Sequence, residues 1–553
     1  MKAKRSSKLF LIISLMFVMV ITACSNNNGG NNAPAAPATN APSNNTPANN
    51  NGTNAAAPEE LTLPITEETT QLDMWLLGDP MFRGASYNEK PSFATMQERT
   101  NIEINWVMGS GANGPEAFNL LMASGQIPDM VLYTAMITEG PKYGQQGAFA
   151  PLTDYINQYA PNFKRILDEN PDVRRLITSA DGEIYHFPNL NLDEYLMVQM
   201  FPQIRQDWLE KLSLEEPKTT EDWYNVLKAF KEQDPNGNGQ SDEIPFVSVN
   251  LQTMFKIFGP AFGTDWEFYL DNGQVKFGPI EPEYKEAIGY LNKLYSEQLI
   301  DPNYLVDTEF KFLTEKVTND RAGAWIGWAG SYMRSFTDLM ADHPSFEIVG
   351  TEPPAGPNGD QRFAFHAWPV TNLGIAISAQ SDNIVEAVKW LDFQYSEEGI
   401  MLNNFGVEGV SYEVVDGYPT FNDAVFNNPD GLSATESLLA YTIGGGQWAT
   451  VQDPRYAEQY DIEAAIEAKN KVSPFVDYDV SLPPFTFSTE QNDIITPILA
   501  DIRTYRDEFA NAMVMGNRPV DDFDSFVEQI KGMGIDRVLE VYQEAYDNYM
   551  SVE

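Results

Sequence analysis

The chain has 553 residues, 43% of them hydrophobic and 12% aromatic, with 79 acidic side chains against 35 basic ones and a formal charge of −44. That acidic excess argues against nucleic acid as a partner, because such binding rests on Lys and Arg neutralising phosphates, and it repels polyanionic ligands at long range, which favours neutral or weakly charged ones. Three histidines leave little room for a zinc constellation, and a single cysteine excludes an intramolecular disulfide.

The first element in chain order is "MKAKRSSKLFLIISLMFVMVITAC": four cations (Lys2, Lys4, Arg5, Lys8), an apolar run from Leu9 to Val20, then small residues before Cys24. The apolar run is shorter than the ~20 residues of a membrane-spanning helix and has the length of a signal-peptide core; the alternative is an uncleaved anchor. Ile21-Thr22-Ala23-Cys24 resembles the lipobox of bacterial lipoproteins. That resemblance implies an acylated Cys24 as the mature N-terminus and a lipid-anchored protein on the outer face of the cell membrane. Loss of the signal cations takes the charge to about −48. From Ser25 to about Glu60 the composition of Asn, Ala, Pro, Gly and Thr cannot bury enough surface to fold, so a flexible tether with an r.m.s. reach on the order of 30 to 35 Å is expected.

The remaining residues exceed what one core usually serves, which points to two lobes. "LDMWLLGD" reads as a buried strand opening into a loop, and "NIEINWVMG" alternates Ile102, Ile104, Trp106 and Met108. In "PEAFNLLMASG", Phe118, Leu121 and Met122 share a helical face before Gly125, and "IPDMVLYT" is the next strand. Strand, helix, strand predicts a parallel sheet covered by helices, an α/β fold. Later come strands in "FEIVGTEPP" and "NLGIAISAQ", a helix from Asn383 with Ile384, Val388, Leu391 and Tyr395 on one face, and a long stripe of Ile495, Ile498, Ile502, Tyr505 and Phe509 ending at Gly516.

Thr219 can cap a helix through Asp222, with Trp223, Leu227 and Phe230 on the buried face. That helix runs into "DPNGNGQSDEIPF", where Asp234, Asn236, Asn238, Asp242 and Glu243 supply side-chain oxygens and Gln240 a backbone carbonyl, with Gly239 at the bend of an EF-hand-like loop. Many irregular hard oxygens suit Ca²⁺. Pro245 stands where an EF-hand has its bidentate Glu, and no exiting helix follows, so the ion would brace a helix-to-strand corner; the alternative is an Asx-rich turn without metal.

These features occur together with "SGQIPDMVL", "DGEIYHFP", "RQDWLEKL", "AGAWIGWAGS", "FGVEGVSY" and "LPPFTFSTEQNDIITPIL" in one order. The set resembles the extracellular solute-binding lipoproteins of bacterial ABC importers, in the long-chain carbohydrate group that includes alginate-binding proteins and lipoproteins of Gram-positive bacteria such as Paenibacillus. The resemblance implies a periplasmic-binding-protein-like fold of two α/β lobes with hinge crossings and a ligand cleft between them. It implies an oligosaccharide ligand, ABC permease transmembrane subunits as partners, a monomer, and a structural calcium on the loop residues named above. The expected division is 1–23 signal peptide, 24–60 tether, 61–186 with 366–425 as one lobe and 187–365 with 426–553 as the other.

A sugar site needs flat aromatic surfaces and planar hydrogen-bonding groups converging on a cleft, on loops beyond strand ends. Trp325 and Trp328 stand among Gly323, Gly327 and Gly330, whose small size would let backbone and ligand approach; in an extended segment the two indoles point to opposite faces, one toward the core and one toward the cleft. His366 and Trp368 in "FAFHAWPV", Tyr185 and His186 in "DGEIYHFP", Trp448 after three glycines, and Glu408 in "FGVEGVSY" are further candidates, with Asp79 and Tyr133 at strand ends. Trp75 and Trp106 are expected in the core.

The function expected is sugar capture without catalysis. A secreted glycoside-active enzyme would need two carboxyls across one cleft, which an acid-rich chain always appears to offer. A binder of peptides or other solutes is the third reading.

Overall fold

A computed structural model describes residues 58–77, 86–109, 114–307, 310–443 and 448–551. All of them lie in one of the chain's two units, Ala56–Glu553. The signal peptide, Cys24 and Asp79 lie outside the described residues.

Strands form at the apolar runs expected to hold them and at several others. They form β1 (Thr70–Leu76), β2 (Ile102–Met108), β3 (Met130–Tyr133), β4 (Phe187–Leu190), β5 (Met200–Arg205) and β6 (Ile244–Val247). Further along lie β7 (Phe268–Asp271), β8 (Gln274–Phe277), β9 (Ala322–Trp328), β10 (Ile348–Gly350), β11 (Val370–Ile377), β12 (Tyr412–Val415) and β13 (Tyr418–Phe421). One sheet has the order β2-β1-β3-β11-β4 and a second the order β10-β5-β9-β6.

The first sheet is mixed rather than parallel: β1 runs parallel to β2 and β3, but β11 is antiparallel to β3 and β4. The reason lies in the connections. β4 carries the chain out toward the second sheet and β11 brings it back, with Asn191 N–H donating to the Pro369 carbonyl at 2.9 Å, so outgoing and returning strands must oppose each other.

The first core gathers Leu72, Met74, Ile104, Phe187, Ile375 and Trp390 under helices such as Ile384–Phe393. The second gathers Trp208, Trp223, Phe246 and Phe258 with one face of the long helix Thr489–Val514, where Ile495, Ile502 and Phe509 are buried while Ile498 and Tyr505 pack at the margin. Gly516 follows at φ 75°, a left-handed position that frees that helix end. Ile443, Trp448 and Ala449 belong to the first core, beyond the residue 425 at which that lobe was expected to end.

Three segments pass between the sheets side by side. Val198 pairs antiparallel with His366, Leu190 pairs parallel with Val451, and Gln452 N–H donates to the Leu190 carbonyl at 2.8 Å. Beyond the third passage, Asp461 pairs with the buried Lys469 at 2.7 Å and accepts from Tyr195 Oη at 2.7 Å, which ties that passage to the first.

Candidate ligand-binding site

β9 delivers one tryptophan to each side of the second sheet. Trp325 is fully buried, packs edge-on to Phe336 at 5.4 Å and donates its indole N–H to Gln203 Oε1 at 2.8 Å. It is a core residue, not a cleft residue. Trp328 ends the strand opposite Met200 and is 44% exposed. The glycines around them serve packing: a Cβ on Gly323 would meet the Phe230 ring at 2.5 Å, and one on Gly327 would meet the Gln203 amide at 2.7 Å.

A cluster of three rings stands at the passage between the sheets. His366 lies 4.7 Å from Tyr478 and 5.7 Å from Trp368, and Trp368 lies 5.1 Å from Tyr478, all edge-to-face. Tyr478 Oη donates to the Ala367 carbonyl at 3.1 Å, and Ala367 N–H donates to Met197 at 2.7 Å. Ala329 N–H, next to Trp328, donates to Gln199 at 2.7 Å, so the short stretch Met197–Met200 has the ring cluster bonded near its start and Trp328 near its end. Burial lowers the His366 pKa from its ordinary value, with Lys256 acting the same way and the Phe363 carbonyl and Asp477 opposing, so the ring is neutral near pH 7. Its Nε2 is buried without a partner.

Four other expected ligand residues are structural. Tyr133 stacks on Phe118 at 4.0 Å and is buried. Tyr185 is buried with Gly144 against its ring face, and its hydroxyl donates to Asp181 at 2.7 Å. His186 is fully buried between Gly140 and Gly374, and desolvation pushes its pKa down to about 4. Trp448 is 4% exposed, edge-on to Phe93 at 5.2 Å and Trp390 at 6.2 Å, with its indole N–H toward Gln394 Oε1 at 3.3 Å. A pocket built from distant segments holds the ring. Glu408 is exposed on the rim of a separate groove.

Sequence reading missed Tyr478. It lies in "SPFVDYDVSLPPF", which carries no periodicity; a single bridge, Phe363 to Val476, brings it to His366. The only hint was an aromatic residue between two aspartates in a turn-rich stretch.

The oxygen-rich loop is laid out as its glycines require. Thr219 and Asp222 form a reciprocal cap on the helix Thr220–Glu232, and the loop then bends through Asp234, Gly237 and Gly239, all at positive φ. Asp234 accepts from the backbone N–H groups of Asn238 at 3.1 Å and Gly239 at 3.0 Å, and Asn238 Oδ1 accepts from Gln240 N–H at 2.7 Å. Asn236 and Asn238 donate their amides to Asp242 Oδ1. Burial raises the Glu243 pKa, with Asp234 and Asp242 adding to it, and Glu243 Oε1 is buried without a partner. An orphaned carboxylate oxygen beside two more carboxylates fits a cation. Among the described residues no three His, Cys, Asp or Glu side chains make a metal site by themselves, so an ion here would also draw on amide and backbone oxygens, with the two Asn amides turned over. The loop is anchored to the start of β9: Asn236 Nδ2 donates to the Asp320 carbonyl at 3.1 Å, Arg321 Nε to the Asp242 carbonyl at 2.9 Å, and Ile244 N–H to the Arg321 carbonyl at 2.8 Å.

Residues 85–401, more than half of the chain, match the family described as bacterial extracellular solute-binding protein. The chain belongs to that family. This solute-binding protein is 28% identical over 519 residues to the fructooligosaccharide ABC transporter substrate-binding protein FusA of Streptococcus pneumoniae, covering 89% of this chain and 93% of FusA. It is 25% identical to the polygalacturonan/rhamnogalacturonan-binding protein YtcQ of Bacillus subtilis, over 81% of this chain and 86% of YtcQ. Among solved structures, the alginate-binding protein AlgQ2 without calcium ion superposes with a TM-score of 0.74 at 29% identity, covering 87% of this chain and 99% of that one. Like these relatives, the solute-binding protein is an α/β molecule of two lobes. No described helix is long and apolar enough to cross a membrane.

Proposed function

We propose that this chain captures an oligosaccharide between its lobes and delivers it to the permease subunits of an ABC importer, leaving the sugar's bonds intact. The observation that carries this is the cluster of Trp368, His366 and Tyr478 at the passage between the sheets, with the exposed Trp328 at the far end of the stretch Met197–Met200: aromatic planes for sugar faces beside a neutral imidazole for a hydroxyl. The relatives that bind fructooligosaccharide, polygalacturonan and alginate support the substrate class. We place one lobe at 58–190 with 370–452 and the other at 199–365 with 461–551.

A Ca²⁺ on the loop Asp234–Glu243 acts as a brace; the fit of its carboxylates supports this, as does the description of one FusA structure as an EF-hand mutant. Cys24 is the site of a lipid anchor, in keeping with the lipoprotein LipO of Bacillus subtilis among the relatives, and the protein works as a monomer on the extracellular face of the cell membrane. The test is calorimetry and tryptophan fluorescence over neutral fructooligosaccharides, uronate oligosaccharides and peptides, with an assay for new reducing ends. Saccharide binding without cleavage is expected; cleavage, or heat from peptides alone, rejects the reading.

A further inference from the structure

We propose that the hairpin of β12 and β13, with the groove beside it, is the face that docks on the permease, and that it receives a cationic, amphipathic loop of that membrane protein. This rests on the importer reading above but concerns a surface that the sugar site does not use. The hairpin forms a two-stranded sheet of its own. One side is anchored, with Tyr412 and Phe421 packed on Phe405 at 5.7 and 5.3 Å. β13 is also bonded to Glu458 and Gln459, whereas Val410, Val414 and Val415 are 41%, 49% and 51% exposed. Next to them Met401, Leu402, Val407 and Tyr412 line a groove of about 330 Å³. Adjoining exposed valines and an apolar groove make a patch of the kind that marks interaction sites.

The charge around it selects the occupant. From Glu397 to Asp430 the sequence has seven carboxylates and neither Lys nor Arg. Glu398 is taken by Arg99 at 2.7 Å, whereas Glu397, Glu408, Glu413 and Asp416 stand exposed around the apolar surface. Such a rim repels an anionic bilayer and a second copy of this acidic chain, and it attracts Lys or Arg flanking an apolar side chain.

The test places a benzophenone amino acid at position 414 of the full-length chain in its native cell, with the Leu339 position, exposed at least as much and on the other sheet's side, as control. Irradiation is expected to join position 414, but not position 339, to an integral membrane polypeptide, and Glu413→Lys with Asp416→Lys is expected to cut that product by about tenfold. Calorimetry on the same charge variant is expected to show an unchanged sugar affinity. Crosslinking no stronger than at position 339, to a second copy, or to lipid alone would overturn the proposal, as would loss of sugar affinity in the charge variant. If the parent binds no saccharide while position 414 still captures the membrane protein, the importer's substrate class is wrong and the docking face stands.

Discussion

Trp325 and Trp328, three residues apart, make opposite predictions. Trp325→Ala removes a fully buried ring and strands Gln203 without its donor, so a stability loss of about 3 to 5 kcal/mol is expected in urea unfolding. Trp328→Ala removes an exposed ring, so stability is expected to hold within about 0.5 kcal/mol while sugar affinity falls roughly tenfold or more by calorimetry. Loss of affinity without loss of stability in the Trp325 variant would reverse the assignment. His186 yields a pH prediction. Burial holds its folded pKa at about 4, below the ordinary 6.5, so between those values the unfolded chain binds a proton that the folded one refuses. Stability therefore rises with pH across that window, and acidification from pH 7 to pH 5 is expected to cost about 2 kcal/mol through this group. His186→Gln should flatten that part of the profile; an unchanged slope would show that the ring is not held neutral.

At the scale of elements, the loop Asp234–Glu243 fastens the end of one helix to the starts of β6 and β9 through Asp320 and Arg321. A bound cation would stabilise the folded state by about 2.7 kcal/mol at a hundred times its dissociation constant. EDTA is thus expected to lower the melting temperature by a few degrees and Asp234→Ala to abolish the response, and indifference to EDTA would reject the metal. This region was readable in advance because its signals are local: the Thr219–Asp222 cap, the helical stripe and the glycines act within a few residues of each other. The same holds for β1, β2 and β3. The direction of β11 was not readable, since it depends on where the chain returns from the second sheet. Nor was the burial of Trp448, whose neighbours Phe93 and Trp390 come from distant parts of the sequence. Half the expected ligand residues are buried in the fold: the sequence advertises rings, but packing decides which face water.

At the scale of the whole molecule, the proposed sugar site at the passage between the sheets would touch both lobes only when they approach. Turning a population from about 1% to about 99% closed requires roughly 5.5 kcal/mol of preference for the closed form. Addition of a tight-binding saccharide is expected to reduce the radius of gyration in small-angle scattering, and Trp368→Ala to blunt that change. Scattering that is identical with and without bound sugar would mean recognition on a static surface.

The first core closes only when Ile443, Trp448 and Ala449 join strands that begin at Thr70. A chain threaded outward from its N-terminus therefore carries an unfinished core, with Phe93 and Trp390 wanting their partner, until most of its length has emerged. Contacts between residues so far apart fold slowly, and the exposed rings meanwhile invite aggregation. A chain delivered in that order is expected to complete this core only when its late segment arrives.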